Sequence, residues 1–455
     1  MSTTPTLSLA QYIAKTRYEN LSPELVREAK RHLADVLACG LSGATTPSGR
    51  AMRVFAEQMT GKNSHVTLWG SKEKANAAIA ALSNATMTYH LELDDVHRTS
   101  HAHPGISVVP GALAVCEDKK LSPKDLITAI VVGYDIVTRV GMAVSPSIYV
   151  DRVFLAPGTL SSWGAAGAVT SLMRLSEEET AKVLGVAAFL SPLCLFESFA
   201  KGAPIKNMAM GWGNLIAIWG VLFSSEGLFG PVTALEGQFG YANATADTYD
   251  FTRMDAAENY NCGILNTGLK PYSCCRQHHA AIDAMIELRN KHDLKPEQVE
   301  HVLVKTFAVA SRGNNKTPAT TAAATYSCPF SVATALVYGN CWREQYTVSA
   351  IQNKTVLDLA AKIDVVKDDE LDALYDEKWP AIVEVKTKDG RNLSARWDLM
   401  KGEPEHPVSD DELKFKFMSL AADCLDKAQA EDLWSAIYDL ENLKNISEMT
   451  KLLVK

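Results

Sequence analysis

The sequence predicts a mainly α protein, a large all-helical domain that carries a smaller α+β domain. Three observations predict it. Capped helical periodicities follow one another through roughly the first 265 residues. Near Gly268 the pattern changes to alternating strands and a hairpin signal, and after Pro404 and Pro407 a capped helical tail follows. The expected division is a helical domain over 1–267, an α+β domain over 268–403, and a tail, 404–455, whose apolar face docks back on the first domain.

In chain order, Ser22-Pro23 reads as a helix cap followed by a proline at the first helical position. Leu25, Ala29, Leu33, Val36 and Leu37 then repeat at helical spacing up to Gly40 and Gly43. An Ala-dense helix is expected over 75–86, where neighbours can approach closely. Ser122-Pro123 opens a nearly all-apolar helix, and Ser176 with Glu179 forms a capping box for a helix to Phe189. Helices rich in Gly, Ala and Trp are expected over 159–175 and 207–224. Beyond Gly268, residues 299–310 alternate as a strand, and two β-rich runs flank Asp389-Gly390, a strong hairpin signal. Helices at about 279–293, 327–340 and 352–363 lie among them, and Ser409 caps the tail.

Composition narrows the function. The chain has 455 residues, 47% hydrophobic and 22% charged, and a net charge of −8, so a nucleic-acid surface and a basic membrane arm are disfavoured. Nine scattered cysteines with no C-x-x-C spacing disfavour zinc ribbons and iron–sulfur runs and fit free thiols in a reducing compartment. The polar stretch from Met1 to Leu7 lacks the apolar core of a signal peptide, so the cytoplasm is the expected location. The longest uncharged apolar run, 208–223, is shorter than the ~20 residues of a membrane span and reads as a fully buried helix.

The densest titratable stretch is 87–105, with Glu92, Asp94, Asp95, His97, Arg98, His101 and His103 before Pro104-Gly105, a pair that reads as a stop. It reads as a metal site on His97, His101 and His103, as a solvated loop, or as an acid/base loop. Its histidine spacings fit no common zinc pattern, and no metal is expected. In the acid/base reading His103 is best placed, because the following proline holds its backbone out of a helix and histidine titrates near neutrality. A second stretch, Lys270-Pro271-Tyr272-Ser273-Cys274-Cys275-Arg276-Gln277-His278-His279, puts Lys270, Arg276 and His279 at a helix start, where free amides favour anions. Lys206 opens the apolar run, and Gly158-Thr159 opens a small-residue helix that either offers Thr159 to an anion or packs closely. Several cations beside a base suit proton removal next to a carboxylate. Desolvation and neighbouring cations would lower a lysine's pKa and let it act as a base.

These stretches resemble the MmgE/PrpD family. The resemblance rests on Leu91-Glu92-Leu93-Asp94-Asp95 before His103-Pro104, on Gly158-Thr159 through Gly164-Ala165-Ala166, and on Lys206 with Gly211. It also rests on Lys270-Pro271-Tyr272 with Cys275 and His279 through Asp283, on Tyr326-Ser327-x-Pro329-Phe330, and on the tail from Lys401-Gly402 to Phe417. It implies a helical domain built from both chain ends with an α+β lid, a homodimer, and a cofactor-independent cleft between the domains. It implies a lyase of dehydratase or decarboxylase type acting on a small di- or tricarboxylate, the alternatives being an epimerase that uses the same deprotonation and a non-catalytic anion-binding relative.

By position its acidic residues fall on Glu92, Asp94 or Asp95, its loop histidine on His103 and its two lysines on Lys206 and Lys270; catalysis is expected of His103, Lys206, Lys270 and Asp94. Glu92, Asp95, His97, His101, Thr159, Arg276 and His279 fall to substrate binding. The chain departs from the family in three places. Leu155 stands where relatives carry a histidine in Gly-Phe-His-Pro-Thr, Ala209 stands where another histidine follows the first lysine, and Phe330 stands where several relatives have tyrosine.

Overall fold

The computed structural model describes residues 4–61, 64–254 and 262–455. The first three residues of the polar N-terminal stretch lie outside them. The fold is mainly helical with a small α+β portion, as the sequence predicts.

Helices begin where side chains can satisfy the first free amides. After α1 (Pro5–Lys15), α2 (Pro23–Ala44) is capped by Ser22. It is followed by α3 (Pro47–Met59) and by α4 (Ala77–Thr88), which Asn76 caps. The Pro104-Gly105 pair, expected to stop the polar stretch, instead opens α5 (Pro104–Lys119), because a proline at the first helical position gives up an amide that lacks a partner anyway. His103 is therefore the cap residue of α5.

Pro110, inside α5, can donate no bond to the carbonyl of Ile106. Asn214 fills that gap: its Nδ2 donates to the Ile106 carbonyl at 2.9 Å, and its Oδ1 accepts from the Gly111 amide at 2.8 Å. The one amide side chain in the apolar run is a stitch to the proline helix.

Next come α6 (Pro123–Val144), α7 (Ala156–Leu172), α8 (Glu177–Phe189) and α9 (Ala209–Ser225). The small residues of α7 let it pack among α5, α6, α8 and α9 at the centre of the core. α6 is as long and apolar as a membrane span, yet it is buried within the protein. The expectation for 208–223 is corrected: α9 is buried along one side only, and Trp212, Trp219 and Leu222 stand exposed on the other.

Two short strands, β1 (Val96–His97) and β2 (Thr267–Gly268), pair antiparallel, with Val96 opposite Gly268. This pairing sets the His-rich loop beside the Lys270 stretch. The four-stranded sheet follows, from β3 (Val299–Thr306), β4 (Ile363–Lys367), β5 (Ala381–Thr387) and β6 (Asn392–Trp397), in the order β4-β3-β5-β6. β3 and β4 run parallel; the other pairs are antiparallel, and Gly390 turns the predicted hairpin with φ +89°. The helix expected over 352–363 ends at Ala360, and the β-branched run that follows forms β4. Helices α10 (His279–His292), α11 (Cys328–Tyr338) and α12 (Lys354–Ala360) accompany the sheet. In the tail, α13 (Asp410–Ala421), started by the Ser409–Glu412 capping box, packs on α2.

Candidate active site

The loop after α4 folds back on itself. Glu92 ends a 3₁₀ turn in the left-handed region (φ +54°), and His101 adopts the same conformation (φ +56°). Such backbone is unfavourable by about 1 kcal/mol or more for residues with a Cβ, and it persists where the surroundings enforce it. Here the His97 amide donates to the Ala102 carbonyl at 3.0 Å, which closes the loop and returns His103 to Asp94. Asp95 fixes the base of the loop: its carboxylate accepts from Tyr134 Oη at 2.5 Å and from the Gly105 amide at 2.8 Å, and faces His32 Nδ1 at 2.7 Å.

Asp94 is fully buried, and its Oδ2 takes a short hydrogen bond from His103 Nδ1. With Nδ1 directed at a carboxylate, Nε2 is the ring nitrogen left for the cavity, the arrangement that orients a histidine base. Lys270 arrives from beyond β2 with no exposed surface; its Nζ lies 3.5 Å from Glu92 Oε2 and 3.6 Å from Asp94 Oδ1. Lys206, on the turn Pro204–Met208, makes a short ion pair with Glu92 Oε1 and sits over the rings of Tyr89 and Phe199 at 4.7 and 4.9 Å.

These pairings decide the charges. Burial pushes the Glu92 carboxyl up, but Lys206, Lys270 and His103 outweigh it and hold Glu92 at about 2. Asp94 is likewise held below the usual carboxylate range, burial being overcome by Lys270 and His103. The expectation of a lysine with lowered pKa is corrected at Lys270: burial lowers it, but Asp94 and Glu92 together raise it above the ordinary value. A raised pKa favours the ammonium form of Lys270 over the neutral amine.

Glu92, His101, His103, Lys270 and Arg276 line a cavity of about 50 Å³, space for a few waters. The rest of its wall comes largely from Leu155 and Cys275, both noted in the family resemblance, and from Tyr149, Phe199 and Trp379, which no motif marks. Trp379 arrives on the segment before β5 together with Tyr375, whose hydroxyl lies 2.5 Å from His101 Nε2. No local pattern marks these aromatics, because tertiary contact alone brings them to the loop.

The other expected site residues are placed differently. Asp94 and Lys206 stand behind the wall, touching His103 and Glu92, and Lys206 also lines a neighbouring hollow of about 670 Å³. Asp95 is committed to the loop anchor. His97 turns into β1 and meets Ser100 Oγ at 2.9 Å. Thr159 is buried in α7, where its hydroxyl accepts from the Cys194 amide at 3.3 Å and neighbouring Gly158 packs against Cys194 and Ala209. His279 is held between the Arg276 guanidinium (2.9 Å) and the Cys274 carbonyl (3.2 Å). Arg276 reaches the cavity but is already bound to Glu403 at 2.7 Å and to the Lys401 carbonyl at 2.8 Å. The three loop histidines face three different partners and do not converge on one point.

Comparison with known proteins gives the family. The family model for the MmgE/PrpD N-terminal domain matches residues 7–254, and that for the MmgE/PrpD C-terminal domain matches residues 272–442. The chain is 22% identical over 472 residues to the cis-aconitate decarboxylase-like protein oryM of Aspergillus oryzae, covering 98% of this chain and 97% of that one. It is 22% identical over 471 residues to the cis-aconitate decarboxylase of Aspergillus terreus (98% and 95% covered). It is 24% identical over 474 residues to that of Homo sapiens (98% and 94% covered).

Proposed function

The chain belongs to the MmgE/PrpD family and is an enzyme of the lyase type; on that premise we propose that it removes a proton α to a carboxylate of a small polycarboxylate. The observation that carries this reading is the Asp94–His103 pair set beside the Lys270 ammonium. His103 Nε2 takes the proton from carbon, and Asp94 stabilises the imidazolium that forms. The electron pair left on carbon delocalises into the adjacent carboxylate. Lys270, kept protonated by Glu92 and Asp94, meets that charge where it develops. Loss of a leaving group from the neighbouring carbon completes elimination. Return of a proton to the opposite face would give epimerisation, the alternative outcome of the same deprotonation. These steps need no group beyond the chain's own side chains.

We further propose a homodimer. It is supported by exposed apolar side chains: Trp212, Trp219 and Leu222 on one side of α9, and Phe189, Leu193 and Phe239, which line a surface hollow. Phe189 is 84% exposed and Phe239 92%, and burial of such rings against a second copy would be favourable.

Proton NMR in heavy water with citrate, 2-methylcitrate, cis-aconitate and iminodisuccinate tests the reaction. Deuterium entering α to a carboxylate, or turnover at that carbon, is the expected result. Binding with neither exchange nor turnover contradicts the reading and favours a non-catalytic anion-binding protein.

A further inference from the structure

The two halves of the cavity wall differ in chemistry. One half carries Glu92, His103, Lys270 and Arg276. The other carries Leu155 and Phe199, which with Ala209, Met210 and Ile106 form a separate apolar cluster reaching Tyr89. Leu155 is 4% exposed and Ala209 6%, so neither position offers a hydrogen bond or a path to bulk water. Tyr149 and Gln277 are neutral polar side chains of the wall beside Tyr89 and Trp379, and Gln277 Nε2 lies 3.5 Å from Tyr149 Oη.

Two cations line the polar half among the described residues, Lys270 and Arg276. Lys206 stands behind the wall against Glu92, and Arg98 shares Glu403 with Arg276. A trianion brought into this buried site would leave at least one carboxylate without a positive partner, and burying an unpaired charge is strongly unfavourable. An alkyl group placed on Leu155 and Phe199 gains instead, by about 0.8 kcal/mol per buried methylene.

We infer that the acid taken by this chain carries no more than two carboxylates and an apolar arm, the carboxylates at Lys270 and Arg276 and the arm against Leu155 and Phe199. The inference rests on the carboxylate reading above and narrows it, with Leu155 as the specificity-determining residue. It separates the chain from its relatives named for cis-aconitate, an acid with three carboxylates. The proton to be removed then lies between the arm and a carboxylate, under His103.

Titration calorimetry on the intact protein tests it, with succinate, 2-methylsuccinate, 2-propylsuccinate and tricarballylate as probes. Affinity should rise along the succinate series by about fourfold for each carbon added. Tricarballylate should bind at least about tenfold more weakly than 2-methylsuccinate, since each 1.4 kcal/mol of unpaired charge is a factor of ten. In Leu155→His the alkyl advantage should fall and tricarballylate should gain. Tighter binding of tricarballylate than of the alkylsuccinates to the wild type overturns the inference and leaves the carboxylate reading standing, whether or not the variant folds. Binding of none of the four overturns both.

Discussion

Asp94 and His103 lie nine residues apart in sequence, yet Asp94 Oδ2 and His103 Nδ1 share a short, buried hydrogen bond. The loop between them exists to make that contact. Its closing bond, His97 amide to Ala102 carbonyl, and its anchor at Asp95 act on backbone rather than on substrate.

Lys416 supports the loop from the far end of the chain. Its ammonium, on α13, meets Asp35 at 2.6 Å, the Leu93 carbonyl at 2.5 Å and the Lys270 carbonyl at 3.0 Å. It thereby ties the two stretches that deliver Asp94 and Lys270. Lys416→Met should cost about 3–5 kcal/mol in urea unfolding, because it strands the buried Asp35 carboxylate. Adding Asp35→Leu should recover most of that loss. An unchanged unfolding midpoint in the single variant would contradict the account.

Stability should fall in acid in two steps. Burial, with smaller contributions from neighbouring charges, holds His97 at about 3 and His101 at about 4, against 6.5 ordinarily. The unfolded chain therefore binds protons at these histidines that the folded chain refuses. Stability drops as pH falls from about 6.5 toward 4, by on the order of 1 kcal/mol per histidine for each pH unit. Glu92 has the depressed pKa of a paired carboxylate, from 4.5 to about 2, so its contribution is present above 4.5 and is lost as pH falls toward 2. Urea midpoints from pH 7.5 to 3 check this, and His97→Gln should flatten the first step.

Much of the fold was legible because capping is local chemistry. Ser22, Ser122, Ser176 and Ser409 each start the helix expected of them, and Asp389-Gly390 turns its hairpin. Pro104-Gly105 misled because the same pair suits a helix start as well as a stop. The helix expected through Ile363 failed because strand pairing with β3 overrides a short run's own preference. At the site, Glu92, Asp94, His101, His103, Lys206, Lys270 and Arg276 were visible as clustered titratable residues. Their partners were not: Lys416, Glu403 and Tyr375 come from more than 100 residues away, and a sequence window cannot pair them.

The Tyr375–His101 bond holds the segment before β5 against the loop, and Trp379 closes the cavity beside it. The cavity it flanks is small, about 50 Å³. Tyr375→Phe keeps the ring packing and removes one hydrogen bond worth about 1 kcal/mol. Amide exchange over 372–379 should quicken by about fivefold, read by mass spectrometry. Unchanged exchange would mean that the bond does not hold the segment shut.

The exposed face of α9 should bind a second copy. Sedimentation velocity should give a dimer for the wild type and a monomer for the double variant Trp212→Asp, Leu222→Asp. A monomeric wild type would contradict the homodimer.

The central claim is that His103, oriented by Asp94, removes a proton from carbon beside a carboxylate while Lys270 stays charged. Deuterium exchange into the acid that the wild type processes, measured by NMR for Asp94→Asn, His103→Gln and Lys270→Met, tests it most directly. The account predicts that each variant slows exchange by about two orders of magnitude or more while the protein stays folded. Exchange at the wild-type rate in His103→Gln would contradict it.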